Sequence, residues 1–282
     1  MAEHSLVATA WTSAGDTSPA RTPSVSPVPI AERVAAVADA GFCGMGLIAA
    51  DLEIVRDTIG FAGLRDLLAD HGLTHIEIEL IERWWVPRDE PGNSYAVRDL
   101  LFDAADVLAP AFVKIGSENG PPTPEPERLT ASLRDLADQA VEHGTRIALE
   151  TMPFSVISTV PLGAEIISAT GHSAIGLLVD AWHVFRAGTT LDELRTVLHP
   201  GMVYGVELDD AADTVAGTLF EDTVDNRLLC GEGTFDLPGL VAVLRELGFD
   251  GPWGVEILST SFRALPVREA LMRAAASTLT VL

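Results

Sequence analysis

Four carboxylates stand at matched places in four successive apolar runs: Arg-Ile-Ala-Leu-Glu150, Gly-Leu-Leu-Val-Asp180, Tyr-Gly-Val-Glu207-Leu-Asp209 and Trp-Gly-Val-Glu256. If each run is a strand, alternation turns Ala148 and Glu150, Asp180, Glu207 and Asp209, and Glu256 to one face, with the intervening aliphatic residues on the other. Carboxylates gathered in this way cannot all stay ionised without compensation, so protons, basic side chains or a divalent cation must balance them. Any one of these acids read alone is the cap of a following turn; four at matched positions point to a metal site. Oxygen-only ligation suits a hard or borderline ion such as Mn²⁺ or Mg²⁺. His183 follows in Asp180-Ala-Trp-His183 and is the one histidine of seven that comes directly after such an acidic strand end. It reads either as a loop histidine or as a group beside the metal and substrate. Lys114 is the single lysine against 17 arginines, and its parity with Val113 and Ile115 aims it the same way as the acids. There it would neutralise the carboxylates or bind a substrate oxygen. Glu79 shares that face, with an ion pair to Lys114 as its alternative role. Trp84, Trp85 and Trp182 lie just past strand ends, where they would wall a cavity or simply pack.

The elements that must position these groups alternate along the chain. Strand-like runs are expected at residues 6–12, 44–48, 75–80, 112–116, 146–150, 175–180, 203–208 and 253–258. Helical periodicity fills 29–40, 51–70, 94–108, 125–143, 160–169, 191–198, 236–247 and 267–279. Leu129, Leu133, Leu136, Ala137 and Ala140 show the apolar stripe most plainly. Eight strand–helix units in 282 residues predict an α/β protein, a single-domain (β/α)8 TIM barrel spanning 1–282. In that fold, residues at the carboxyl ends of strands surround the active site. A dinucleotide fold would need a glycine-rich turn opening a helix; Gly41-Phe-Cys-Gly-Met-Gly46 lies before and within a strand instead.

Composition narrows the function classes. Hydrophobic residues make up 48% of the chain, a globular value. Acidic side chains outnumber basic ones 41 to 18, for a net charge of −23, which disfavours nucleic acid and anionic membrane surfaces as partners. Two cysteines, Cys43 and Cys230, support neither a disulfide framework nor a cysteine zinc site. No apolar run is long enough to cross a membrane, so a cytoplasmic protein is expected, acting on a small polar molecule. The apolar outer helices allow a homodimer.

Taken together, the glutamate ending strand five, Asp-x-x-His after strand six, an Asp two positions beyond a polar residue in strand seven, Gly231-Glu-Gly233 and Trp-Gly-Val-Glu256 resemble the sugar phosphate isomerase/epimerase, or xylose isomerase-like, TIM-barrel superfamily. The resemblance implies that Glu150, Asp180, Glu207 and Glu256 hold one divalent metal, Mn²⁺ foremost, with Mg²⁺, Co²⁺ or Zn²⁺ as alternatives. Glu207 stands where the family usually has histidine, which sets −4 against +2. The resemblance further implies that Glu150 and Glu256 move a proton next to a metal-bound carbonyl of a sugar, cyclitol or related hydroxycarbonyl compound. His183 would polarise that carbonyl, and His183, Arg227, Lys114, Glu79 and Trp182 would contact substrate. Arg227 has a second reading, as an ion pair with Glu221, Asp222 or Asp225. Returning the proton gives an isomerase or epimerase; expelling a β-hydroxyl gives a lyase of the 3-dehydroshikimate dehydratase type. A non-catalytic barrel subunit is the alternative outside enzymes. An endonuclease of this superfamily would need a histidine-rich metal cluster and a basic face, and the sequence has neither.

Overall fold

The computed structural model describes residues 5–19, 21–117 and 124–282. Its strands are β1 Leu6–Ala8, β2 Gly44–Ile48, β3 His75–Ile81, β4 Phe112–Ile115, β5 Ile147–Glu150, β6 Ile175–Asp180, β7 Val203–Leu208 and β8 Trp253–Val255. Each pairs in parallel with its neighbours, and β8 closes on β1. The result is the expected (β/α)8 barrel. Among the described residues the helices are α1 Ala10–Ser13, α2 Ile30–Asp39, α3 Ala49–Asp57, α4 Gly60–Asp70, α5 Tyr95–Leu108, α6 Pro126–Glu142 and α7 Val160–Thr170. They continue with α8 Ala181–Arg186, α9 Leu191–Val197, α10 Leu219–Asp225, α11 Leu237–Glu246, α12 Thr260–Arg263 and α13 Val267–Thr278.

Strand parity sorts the core into two parts. Outward residues such as Val113, Leu149, Val179, Leu208 and Val255 join the helices in one continuous apolar shell. The helix α6 shows the mechanism: Leu129, Leu133 and Leu136 are at most 4% exposed, and burying each such side chain is worth about 1.5–3 kcal/mol. Inward residues Phe112, Ala148 and Leu178, with Tyr204, plug the amino-terminal end of the barrel. Above that plug the inward positions turn polar.

Three expected boundaries are corrected. The first strand ends at Ala8 rather than residue 12, because Ala10–Ser13 coil into α1 above the strand. The expected helix 51–70 is two helices: Gly60 has φ +70°, so the chain turns there despite its helical periodicity. The last strand stops at Val255, placing Glu256 just beyond it. Buried Arg33 locks the first of these turns. From α2 its guanidinium reaches Asp51 Oδ2 at 2.5 Å, Ser13 Oγ at 2.8 Å and the Ala10 carbonyl at 2.6 Å, so one side chain holds α1, α2 and α3 together. Among the described residues, no helix is long and apolar enough to cross a membrane.

Candidate active site

The β5–β8 half of the barrel carries the acids. Glu150 and Asp180 end β5 and β6, Glu207 lies in β7, and Asp209 and Glu256 follow β7 and β8. Asp180 and Glu207 are direct register partners and project at the same level. Gly254 neighbours Glu207 in register. A Cβ on Gly254 would sit 2.4 Å from the Val206 carbonyl and 3.2 Å from Glu207 Cγ, so the glycine of Trp-Gly-Val-Glu256 leaves room for the Glu207 side chain. The other half contributes Glu79 from β3 and Lys114 from β4.

All of these groups are buried, and two basic side chains tie them together. Lys114 Nζ lies 2.6 Å from Glu79 Oε2, 2.7 Å from Glu207 Oε1, and 3.7 Å from both Glu150 Oε2 and Glu256 Oε1. Arg227 Nη1 lies 2.7 Å from Asp180 Oδ2, 2.5 Å from Asp209 Oδ2 and 3.2 Å from Glu256 Oε2. Its Nε and Nη2 donate to Thr223 Oγ1. Arg227 therefore does not pair with the acidic loop. Of those acids, Asp222 serves Trp182 and Arg186, and Asp225 serves Arg263. The connection holding Arg227 is pinned by antiparallel bridges Asp210–Leu228 and Asn226–Ser259. The Gly231-Glu-Gly233 segment wraps the Asp210 carboxylate, which accepts from the amides of Gly231 and Phe235.

Six buried acids, Glu79, Glu150, Asp180, Glu207, Asp209 and Glu256, face these two bases, leaving a formal surplus of −4. The surplus appears in their proton affinities. Burial, reinforced by Glu256, pushes Glu207 well above the usual carboxylate range. Burial also raises Asp209 strongly despite Arg227, and raises Glu79 against Lys114. Glu256 is pushed by burial to about 8, with Lys114 and Arg227 pulling the other way. Glu150 goes in the opposite direction. Burial would raise it, but Lys114, together with His183 and Arg227, outweighs that effect and holds it at about 2. Lys114 is raised well above its ordinary value because its four acid neighbours overcome the cost of burying its charge.

One oxygen from each of Glu150, Asp180, Glu207 and Glu256 lies within 4.8 Å of the others, and Glu150, Asp180 and His183 form an overlapping group. Oxygens that share an ion at bonds of about 2.2 Å are about 3.1–4.4 Å apart, so these four are close enough to be drawn onto one cation by side-chain adjustment. Glu207 Oε2 is buried with no hydrogen-bond partner, as an oxygen aimed at a cation would be. The donor set, the orphaned oxygen and the negative surplus all fit a divalent cation.

His183 lies on α8, not in the expected loop. Its amide caps onto Asp180 Oδ1 at 2.8 Å, and its Nε2 lies 3.4 Å from Glu150 Oε1. His183, Glu79, Lys114, Glu150, Arg227 and Glu256 form the polar floor of a cavity of about 570 Å³. Asp180 and Glu207 are buried and do not line the cavity. Trp182 is a correction: its indole is fully buried, donates to Asp222 Oδ2 and stacks edge-on with His183, so it supports the floor without reaching the cavity. Trp84 and Trp85 are likewise packed in the core, with Trp84 Nε1 donating to the Gly116 carbonyl. Asp209 was visible by parity as an inward acid, yet its bond to Arg227 depends on a connection that local sequence does not specify. Trp11, Phe154 and Phe220, which line the cavity wall, gave no sequence signal.

Residues 34–279 match the xylose isomerase-like TIM barrel family. The chain belongs to that family. An inosose isomerase of Halalkalibacterium halodurans is 28% identical over 151 residues, 53% of this chain and 52% of that relative. A 3-dehydroshikimate dehydratase of Pseudomonas aeruginosa is 27% identical over 248 residues, 84% of this chain but 37% of the relative. The chain thus spans about half the length of the inosose isomerase it matches, and less of the dehydratase. A crystal structure of the IolI protein with a bound zinc atom superposes with a TM-score of 0.81 at 20% identity, over 98% of this chain and 97% of that one. At that identity the likeness concerns the fold.

Proposed function

We propose that the protein is an isomerase or epimerase that moves a proton next to the carbonyl of a sugar, cyclitol or related hydroxycarbonyl compound. One observation carries the reading. Glu150 and Glu256 both open onto the cavity floor, with oxygens within 4.8 Å of each other and of the other two acids of the candidate cation site. Two carboxylates facing one cavity beside a cation site supply a pair of groups that can take a proton from a substrate carbon and return it.

The residues divide the work. One glutamate takes the proton from the substrate carbon and the other returns it to the opposite face or the neighbouring carbon. His183, held by Asp180 and Glu150, orients the substrate oxygen and donates to it as negative charge develops. Lys114 bridges Glu79 and Glu207 and, 3.7 Å from both Glu150 and Glu256, fixes the spacing of the two catalytic glutamates. Arg227 bridges Asp180, Asp209 and Glu256 and so braces the other side of the cluster. Glu150, Asp180, Glu207 and Glu256 would hold a divalent cation, Mn²⁺ in our reading with Mg²⁺, Co²⁺ or Zn²⁺ as alternatives. When bound, that ion supplies Lewis-acid activation of the hydroxycarbonyl unit.

A second reading, a dehydratase, is favoured by the 84% of this chain that aligns with the Pseudomonas aeruginosa 3-dehydroshikimate dehydratase. It shares the first proton abstraction and differs in expelling a β-hydroxyl. Incubating the Mn²⁺-loaded protein with inosose and with 3-dehydroshikimate in deuterated water separates the two by NMR. Deuterium entering at the carbon beside the carbonyl with an isomeric product supports the first reading, and loss of water supports the second. Both exchange and turnover should fall at least about 100-fold in Glu150→Gln and in Glu256→Gln. Wild-type exchange persisting in either variant refutes the assigned roles.

A further inference from the structure

The cavity is too large and too apolar for a bare sugar. Its volume is about 570 Å³, within the range of roughly 300–1,000 Å³ that encloses a drug-sized ligand. A free hexose has about 12 heavy atoms and, even at the roughly 30 Å³ of liquid volume that one water claims, needs no more than about 360 Å³. The walls above the polar floor are built from Trp11, Leu80, Val97, Leu100, Phe154 and Phe220. A polyol filling that space would bury hydroxyls against carbon, at a cost for each one left unpaired. Outside the floor, the polar side chains that line the cavity are Ser24, Glu53, Glu82 and Thr223, and the Thr223 hydroxyl already serves Arg227. The aromatic groups form a ladder: Phe154 meets His183 edge-on at 5.9 Å, and Phe220 meets Phe154 edge-on at 5.7 Å. Phe220, on α10 at the rim, is 38% exposed, a large apolar surface that a ligand would cover.

We infer that the substrate is a hydroxycarbonyl ring bearing an aromatic substituent, with the ring head over Glu150, His183 and Glu256 and the substituent against Phe154 and Phe220. The inference rests on the hydroxycarbonyl reading above and adds what the rest of the cavity recognises. Edge-to-face geometry already links the wall residues, and a substrate aryl group extends the same ladder.

Isothermal titration of the Mn²⁺-loaded protein with methyl and phenyl 3-keto-β-D-glucoside tests it, because the two share a head and differ only in the substituent. The phenyl compound should bind roughly 10- to 150-fold more tightly, the range set by burying one phenyl ring. That ratio should shrink several-fold in Phe220→Ser or Phe154→Ser. Equal affinities for the two glycosides overturn the aromatic substituent and leave the hydroxycarbonyl head standing. A preference for phenyl that survives both substitutions also overturns the assignment, since the ring must then bind elsewhere. Binding of neither glycoside overturns the hydroxycarbonyl reading, and this inference with it.

Discussion

Replacing Lys114 by methionine tests the electrostatics of the site most directly. The side chain is 3% exposed, its Nζ bonds two carboxylates at 2.6 and 2.7 Å, and two more lie at 3.7 Å. At an effective dielectric near 20, each pair at about 4 Å is attracted by about 4 kcal/mol, most of which offsets the desolvation of both partners. What remains when one member of such a buried cluster is removed is about 3–5 kcal/mol of lost stability. An unfolding entropy of about 2.1 cal/mol/K per residue gives roughly 0.6 kcal/mol/K for this 282-residue chain, so Tm in a chelator should fall by about 5–8 °C. Saturating Mn²⁺ should raise the Tm of the variant more than that of the wild type, because the cation then meets carboxylates that Lys114 no longer neutralises. Differential scanning calorimetry with chelator and with Mn²⁺ reads both effects. A loss of the same size in the two conditions would show that Lys114 and a cation do not share these carboxylates, and the electrostatic account would be wrong.

Other expectations concern pH and the scaffold. In the metal-free protein Glu256 keeps its proton up to about 8, whereas its ordinary value is 4.5; its contribution to stability is therefore full below about 4.5 and is lost as pH rises through 8. Thermal scans in chelator should show Tm falling over that interval and Mn²⁺ lessening the fall; a Tm that climbs steadily across it contradicts the buried surplus of acid. Away from the cavity, Arg33→Met should cost about 3–5 kcal/mol by stranding Asp51, measured by urea denaturation, with Mn²⁺ affinity unchanged by calorimetry. A shift in that affinity would mean the clasp of α1, α2 and α3 reaches the metal-binding carboxylates.

Much of this was legible in the chain because a parallel barrel buries both faces of its strands. The runs ending at Glu150 and Asp180 are short and apolar up to the terminal acid, so their location followed from pattern, and counting back by twos from that acid gave their inward residues. Lys114 and Glu79 were placed by the same parity, and their ion pair at 2.6 Å is one of the two roles expected for Glu79. What failed was local conformation without a distinct periodicity. The turn at Gly60 interrupts a pattern that still reads as helix on both sides, and α8 and α10 are too short to show an apolar stripe. Arg227 illustrates a different limit. Its partners Asp180 and Glu256 are distant in sequence and reach it only because the β7–α11 connection folds back across the barrel mouth, whereas the acids nearest in sequence offered a more obvious pairing.

Lys114 is the sole lysine of this sequence, and the fold keeps it off the outer surface, 3% exposed at the floor of the cavity. Any reagent or modifying enzyme that seeks a side-chain amine, whether an acylating cross-linker or a ligase that attaches a tag to lysine, finds none displayed on the native surface. Such labelling becomes a gauge of access to that one amine, which a reagent reaches either by entering the cavity or when the cylinder comes apart.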